Sequence, residues 1–139
     1  MERFITIDSG KSAAKVGVWD QSSNTITETK FMTKVSKGNF ADDALETNTF
    51  IMEYNGNVYK IGRGATREAE TVTSKKTEIH QLCTLYAIAS ICSENEIDEV
   101  HAGIGIPVKD FEDVDKRNDY KEYILPDGDI TISYKTDNE

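Results

Sequence analysis

The stretch Phe4-Ile5-Thr6-Ile7-Asp8-Ser9-Gly10-Lys11-Ser12-Ala13-Ala14-Lys15-Val16-Gly17 decides how the rest of the chain is read. Its first part alternates. Phe4 and Thr6 fall on one face and Ile5 and Ile7 on the other, so Arg3–Asp8 suits a strand covered on both sides. Ala14–Trp19, with Val16, Val18 and Trp19, reads as a second strand. Ser9–Ala13 between them is a short polar turn holding a glycine, two hydroxyls and a lysine, flanked by Asp8 and Lys15. Gly10 lets the chain turn sharply, and such a turn can aim successive backbone N–H groups into one concavity, a nest for an anion such as phosphate. Lys15 can place a point charge on the same anion. Asp8 would repel a phosphate unless Mg²⁺ lay between. That ion keeps several waters and takes few carboxylates, so one Asp acting through water is reasonable. Taken alone, the segment also reads as a plain polar hairpin turn. Gly10-Lys11-Ser12 matches the tail of a P-loop, but that motif needs a glycine where Ile5 stands and a helix where Ala14–Trp19 reads as a strand.

Outward from the hairpin, Asp20–Asn24 is a second turn and Thr25–Val35 a third strand, completing an antiparallel meander. Ser36–Asn48 reads as a loop. Asn48–Tyr54 and Asn57–Ile61 flank Asn55-Gly56, a strong type I′ hairpin signal, and Gly62 and Gly64 then break the pattern. Ser74–Ser93 is the one convincing long helix, with Ser74 or Thr77 as its cap. Ile79, Leu82, Leu85, Tyr86, Ile88, Ala89 and Ile91 cover most of its circumference, which marks a helix buried within a domain. Glu99–Ile106 is a strand whose Gly103 and Gly105 suggest a close approach to the backbone, and Pro107 ends it. Val108–Asp119 reads as a short amphipathic helix. Tyr123–Leu125 and Asp129–Tyr134, joined by Pro126-Asp127-Gly128, read as a final hairpin. A meander followed by a crossover helix and a parallel strand implies an α/β mixed sheet with helices on its faces.

The chain has 139 residues, one domain's worth, with 37% apolar and 29% charged residues. Sixteen basic against 25 acidic residues give −9, which argues against direct nucleic-acid binding through a basic face and against an anionic membrane surface. No apolar run is long enough to span a bilayer. Met1–Gly10 lacks the layout of a signal peptide, so a cytoplasmic setting is expected. Cys83 and Cys92, nine residues apart on one helix, point about 900° around it and sit about 13 Å apart. They cannot bridge and read as two buried reduced thiols. His80 and His101 each stand without a partner at metal-ligand spacing. Asp110, Glu112, Asp113 and Asp115 read as a solvated helix face. Tyr54, Tyr59, Tyr120, Tyr123 and Tyr134 read as strand and hairpin packing.

Phe4–Gly17 resembles the first phosphate-binding hairpin of the actin, Hsp70 and sugar-kinase superfamily, whose Asp-x-Gly with a Lys five residues beyond the Gly is matched by Asp8, Gly10 and Lys15. Residues 59–65, 76–90 and 102–113 look like the corresponding stretches of bacterial actin-like proteins of the ParM (StbA) type, which segregate plasmids. Gly105-Ile106-Pro107 is similar to the segment that closes the family's strand after the buried helix. The resemblance implies a ribonuclease H-like (actin-like) lobe spanning 1–139, with a core of about 1–35 and 65–139 and a small inserted β subdomain of about 36–64. It implies ATP and Mg²⁺ as cofactors. Asp8 would hold Mg²⁺ through water. Gly10, Lys11 and Ser12 would offer backbone N–H groups to the phosphates, and Lys15 would contact them directly. It further implies self-association into a filament, or a dimer for the isolated lobe, and a DNA-binding adaptor protein as partner. Intact relatives are more than twice this length, so the chain reads as an N-terminal lobe. The second lobe and the catalytic Glu or Gln lie beyond it, and this chain alone is not expected to turn over ATP. A nucleotide-free module of the same fold, self-associating or capping a filament, is the competing reading. A sugar or acetate kinase lobe shares the hairpin but shows no sugar-contacting motif here.

Overall fold

The computed structural model describes residues 2–10, 12–38, 45–68, 77–94, 96–106 and 111–136. Along the chain run β1 (Glu2–Ser9), β2 (Ala13–Asp20), β3 (Thr25–Met32), β4 (Lys34–Lys37), β5 (Thr49–Tyr54), β6 (Asn57–Gly62) and β7 (Arg67–Glu68). These are followed by α1 (Glu78–Glu94), β8 (Glu99–Ile104), α2 (Val114–Ile124) and β9 (Ile132–Lys135). The strands form two sheets, a four-stranded one in the order β3-β2-β1-β8 and a five-stranded one in the order β7-β4-β6-β5-β9. The meander is antiparallel, and β8 returns parallel to β1 after the α1 crossover, as the sequence order requires of a strand that follows a helix.

Helix α1 is buried because its sequence is apolar nearly all round. Thr77 caps it, its Oγ1 accepting from the His80 N–H at 3.2 Å, while Ser74 lies outside the described residues. One side of α1 meets Ile5, Ile7, Ala14 and Val16 of the first sheet, all at most 3% exposed. Tyr86 carries the helix to the second sheet. Its ring stacks on Phe50 of β5 at 4.5 Å and meets Phe31 of β3 and Tyr134 of β9 edge-on at 5.4 and 5.6 Å. Edge-to-face and offset geometries are those that the ring quadrupoles favour. This aromatic cluster joins elements more than 100 residues apart in sequence. The β5–β6 turn is of the expected kind, with φ +53° at Asn55 and +78° at Gly56.

Five expectations change. Cover on both faces of the first strand does not hold, because on the side away from α1 Phe4 and Trp19 are each 37% exposed. Thr25–Val35 is not one strand. It breaks at Thr33, whose N–H donates to the Ser12 carbonyl at 3.1 Å, and β4 then enters the other sheet opposite β6 and β7. The gain is burial of Val35, 4% exposed, against the second sheet. The helix expected over 108–119 is α2, Val114–Ile124, capped by Asp113, whose carboxylate accepts from the N–H groups of Asp115 and Lys116. Pro107 and residues 108–110 lie outside the described residues. The final hairpin does not form either. Tyr123 and Ile124 complete α2, and β9 pairs antiparallel with β5. Tyr120 and Ile124, one helical turn apart, are the buried residues of α2. Tyr120, read as strand packing, instead donates its hydroxyl to the Gly105 carbonyl at 2.9 Å.

Cys83 is fully buried and Cys92 only half-buried, and both are free. Burial disfavours the thiolate and pushes the Cys83 thiol up to about 12. An unfolded chain ionises this thiol first, so its contribution to stability is present below about pH 9 and declines as pH rises above that value. Iodoacetamide at pH 8 is expected to alkylate Cys92 in the native protein and Cys83 only with denaturant, as read by peptide mass mapping. Equal labelling of both in the native state would contradict the packing of α1.

Candidate phosphate-binding hairpin

The β1–β2 register places residues in cross-strand rows. Asp8 pairs with Lys15, Thr6 with Gly17 and Phe4 with Trp19. Pairing with β3 extends these rows to Lys30, Glu28 and Ile26, and pairing with β8 adds Gly103 beside Thr6 and His101 beside Phe4. Partners in a row share a face. The face away from α1 therefore carries a charged row (Asp8, Lys15, Lys30) at the hairpin end. A low row (Gly103, Thr6, Gly17, Glu28) lies in the middle, and an apolar row of Phe4, Trp19, Ile26 and His101 at the far end. The middle row is low because two of its members lack side chains. A Cβ at Gly17 would stand 2.8 Å from the Thr6 Oγ1. The result is a cleft of about 440 Å³ lined by Thr6, Asp8, Lys15, Gly17, Glu28 and Gly103 among others.

The turn itself is tight. The Gly10 N–H donates to the carbonyls of Asp8 and Ala13, each at 3.0 Å. That amide closes the turn. The demand on Gly10 is for space, since a Cβ there would sit 2.8 Å from the Ala13 carbonyl oxygen. Ser12 is exposed, and its carbonyl anchors the start of β4 through Thr33. Lys11 lies outside the described residues. Beneath the turn, Ser9 is 2% exposed and its Oγ lies 2.9 Å from Nδ1 of His80, itself buried on α1. The hairpin is thus pinned to the helix by a buried polar contact, which fixes the height of Asp8 and Gly10 above the core. His101 stacks on Phe4 at 4.8 Å and lies 3.7 Å from Glu99.

Asp8 and Lys15 are both exposed and point to the same side. An ammonium and a carboxylate one strand apart can hold a polyanion and its counter-cation together. Among the described residues no three His, Cys, Asp or Glu side chains converge as a metal cluster. A Mg²⁺ ion at this hairpin would be held by Asp8 through water, which suits an ion that keeps several waters and takes few carboxylates. Lys30, Glu28 and the His80 anchor were not singled out from the sequence. The first two follow from the turn at 20–24, which sets residue 15 opposite residue 30. The His80 contact depends on how α1 docks.

Residues 6–139 match the family profile described as "Actin like proteins N terminal domain". The chain belongs to this family. Among solved structures, the filament of AlfA from the B. subtilis plasmid pLS32 is 16% identical with a TM-score of 0.71, covering 94% of this chain and 49% of that one. An AlfA filament bound to AMPPNP gives 17% and 0.70, over 96% and 49%. The Alp12 filament is 26% identical with a TM-score of 0.62, over 94% and 41%. The apo psk41 ParM protein is 13% identical with a TM-score of 0.67, over 96% and 44%. The chain thus spans about half the length of these structures or less. Comparison with curated protein sequences finds no match. The fold is an actin-like N-terminal lobe, and the AlfA and Alp12 neighbours are filament structures.

The two kinds of glycine in this site give a paired test. Gly10→Ala is expected to lower the urea midpoint, at a cost of about 1–3 kcal/mol, because the intruding methyl meets backbone. Gly103→Ala meets nothing nearer than 3.8 Å and is expected to stay within about 0.5 kcal/mol of the parent. Fluorescence of Trp19 reports both transitions. Equal losses would contradict the tight turn.

Proposed function

We propose that this chain is the nucleotide-phosphate-binding N-terminal lobe of a filament-forming actin-like ATPase that segregates plasmid DNA in the cytoplasm. One observation carries the reading: Asp8 and Lys15 are cross-strand partners on the open face of a hairpin tip, in a chain of a family whose AlfA neighbour has been solved with AMPPNP bound. In this reading Lys15 neutralises the triphosphate, with Lys30 one strand further out reinforcing it. Asp8 orients the hydrated Mg²⁺, and the Ser12 and Lys11 backbone supplies donors at the turn. The magnesium ion supplies charge neutralisation between carboxylate and phosphate when bound. The Ser9–His80 contact keeps the tip from sinking when charge is drawn onto it. Filament growth and a DNA-binding adaptor belong to the intact protein. A chain with net charge −9 fits an adaptor better than direct contact with DNA.

The test is a thermal-shift titration of the chain with ATP in the presence and absence of Mg²⁺. The midpoint is expected to rise with Mg²⁺-ATP. Lys15→Ala is expected to weaken binding by at least about tenfold, the value of one charge-assisted hydrogen bond. Asp8→Ala is expected to remove the dependence on Mg²⁺. The chain alone is expected to show no turnover, because it holds one wall of the site. If the midpoint ignores Mg²⁺-ATP, the nucleotide-free module takes precedence. Turnover by this chain that Asp8→Ala abolishes would overturn the half-site reading.

A further inference from the structure

We propose that the outer edge of β3 pairs antiparallel with β3 of a second copy of this chain, centred on Thr29, joining two four-stranded sheets into one. Strand β3 is the last strand of its sheet, and no strand among the described residues pairs with its outer side. It runs eight residues, Thr25–Met32, without proline, glycine or bulge, and all but Phe31 are exposed. Such an edge presents a row of N–H and C=O groups to any strand that fits.

Two features select the occupant. The first is room. On the α1 side, a groove of about 440 Å³ runs along β3 between Thr27, Thr29 and Phe31 on one wall and Ala87, Ser90 and Ile91 of α1 on the other. The helix stops short of the edge, so a strand laid beside β3 meets open space there. The second is charge and register. When both copies keep α1 on the same face, opposed residues have an even sum. Centring on Thr29 sets Glu28 against Lys30 twice and Ile26 against Met32 twice. It also sets Thr27 against Phe31 twice. Ile26 and Met32 are 67% and 46% exposed, and this register covers each with the other. Centring on Glu28 instead opposes two carboxylates, and like charges directly opposite are unfavourable. The edge is thus self-complementary in one register and frustrated in the next. Glutamate and lysine can also simply guard an edge against pairing, but guarding requires no such complementarity. The interaction uses β3 alone and needs no nucleotide.

Sedimentation velocity of the chain at low salt and without nucleotide tests it. A concentration-dependent dimer is expected. Glu28→Lys and Lys30→Glu each place like charges at both paired positions and are expected to weaken the dimer by at least about tenfold. The double variant E28K/K30E reverses both partners and is expected to restore association to within about threefold of the parent. Thr29→Cys is expected to form a disulfide-linked dimer under mild oxidation, since opposed Cα atoms in antiparallel pairs lie about 4.5–5.5 Å apart, within disulfide reach. The parent, with Cys83 and Cys92 only, should stay unlinked. A chain that remains monomeric at high concentration overturns the proposal. So does a double variant as weak as the single ones, or cross-linking through Glu28→Cys in place of Thr29→Cys.

Discussion

The antiparallel register between β1 and β2 is the constraint on which the rest depends. Because side chains alternate with a period of two, a slip of one residue would put Ile5 and Ile7 on one face and Ala14 and Val16 on the other, so that one pair faces solvent and either Asp8 or Lys15 turns to the core. Burying an unpartnered ion is costly, and the four apolar side chains share a core cluster with α1. Register, core and site are therefore one choice. The same pairing that seats α1 sets a carboxylate beside an ammonium on the opposite face. The Gly10 amide then locks the turn length that holds this register.

From that hairpin the fold grows in two directions. Toward α1 it is closed by aliphatic packing, and the cluster of Phe31, Phe50, Tyr86 and Tyr134 ties the helix to both sheets. Away from α1 it stays open, with a polar row at the hairpin end and an exposed aromatic row at the far end. The open face carries Asp8 and Lys15, while the closed face fixes their height through the buried contact of Ser9 with His80.

Much of this was legible because the signals are local. Alternation in Arg3–Asp8, the Asn55-Gly56 turn and the all-round apolar run of α1 each need only a few neighbouring residues to read. What escaped depends on distant partners. The break at Thr33 reflects where Val35 finds a buried place, and nothing within Thr25–Val35 announces it. Pro126-Asp127-Gly128 does bend the chain, with Gly128 at φ +91°, but a bend does not say what it joins. Here it leads from α2 to a strand whose partner, β5, lies about 80 residues earlier. The helix boundary was missed although Asp113 is an ordinary capping residue. Its neighbours Asp110, Glu112 and Asp115 made it look like one more surface acid. The hairpin that sets Asp8 beside Lys15 was readable from its two strands and the polar turn between them. The closure of the turn by the Gly10 amide was not legible, and the His80 anchor arises only once α1 has docked.

The central claim is that one hairpin tip receives a triphosphate. Amide chemical-shift mapping of the isotope-labelled chain during titration with Mg²⁺-AMPPNP tests it most directly. The account predicts shifts concentrated on residues 8–16 and 103–105, saturating together and fading when Mg²⁺ is withdrawn. Shifts centred on α2 or on the second sheet, with the hairpin amides unmoved, would contradict it.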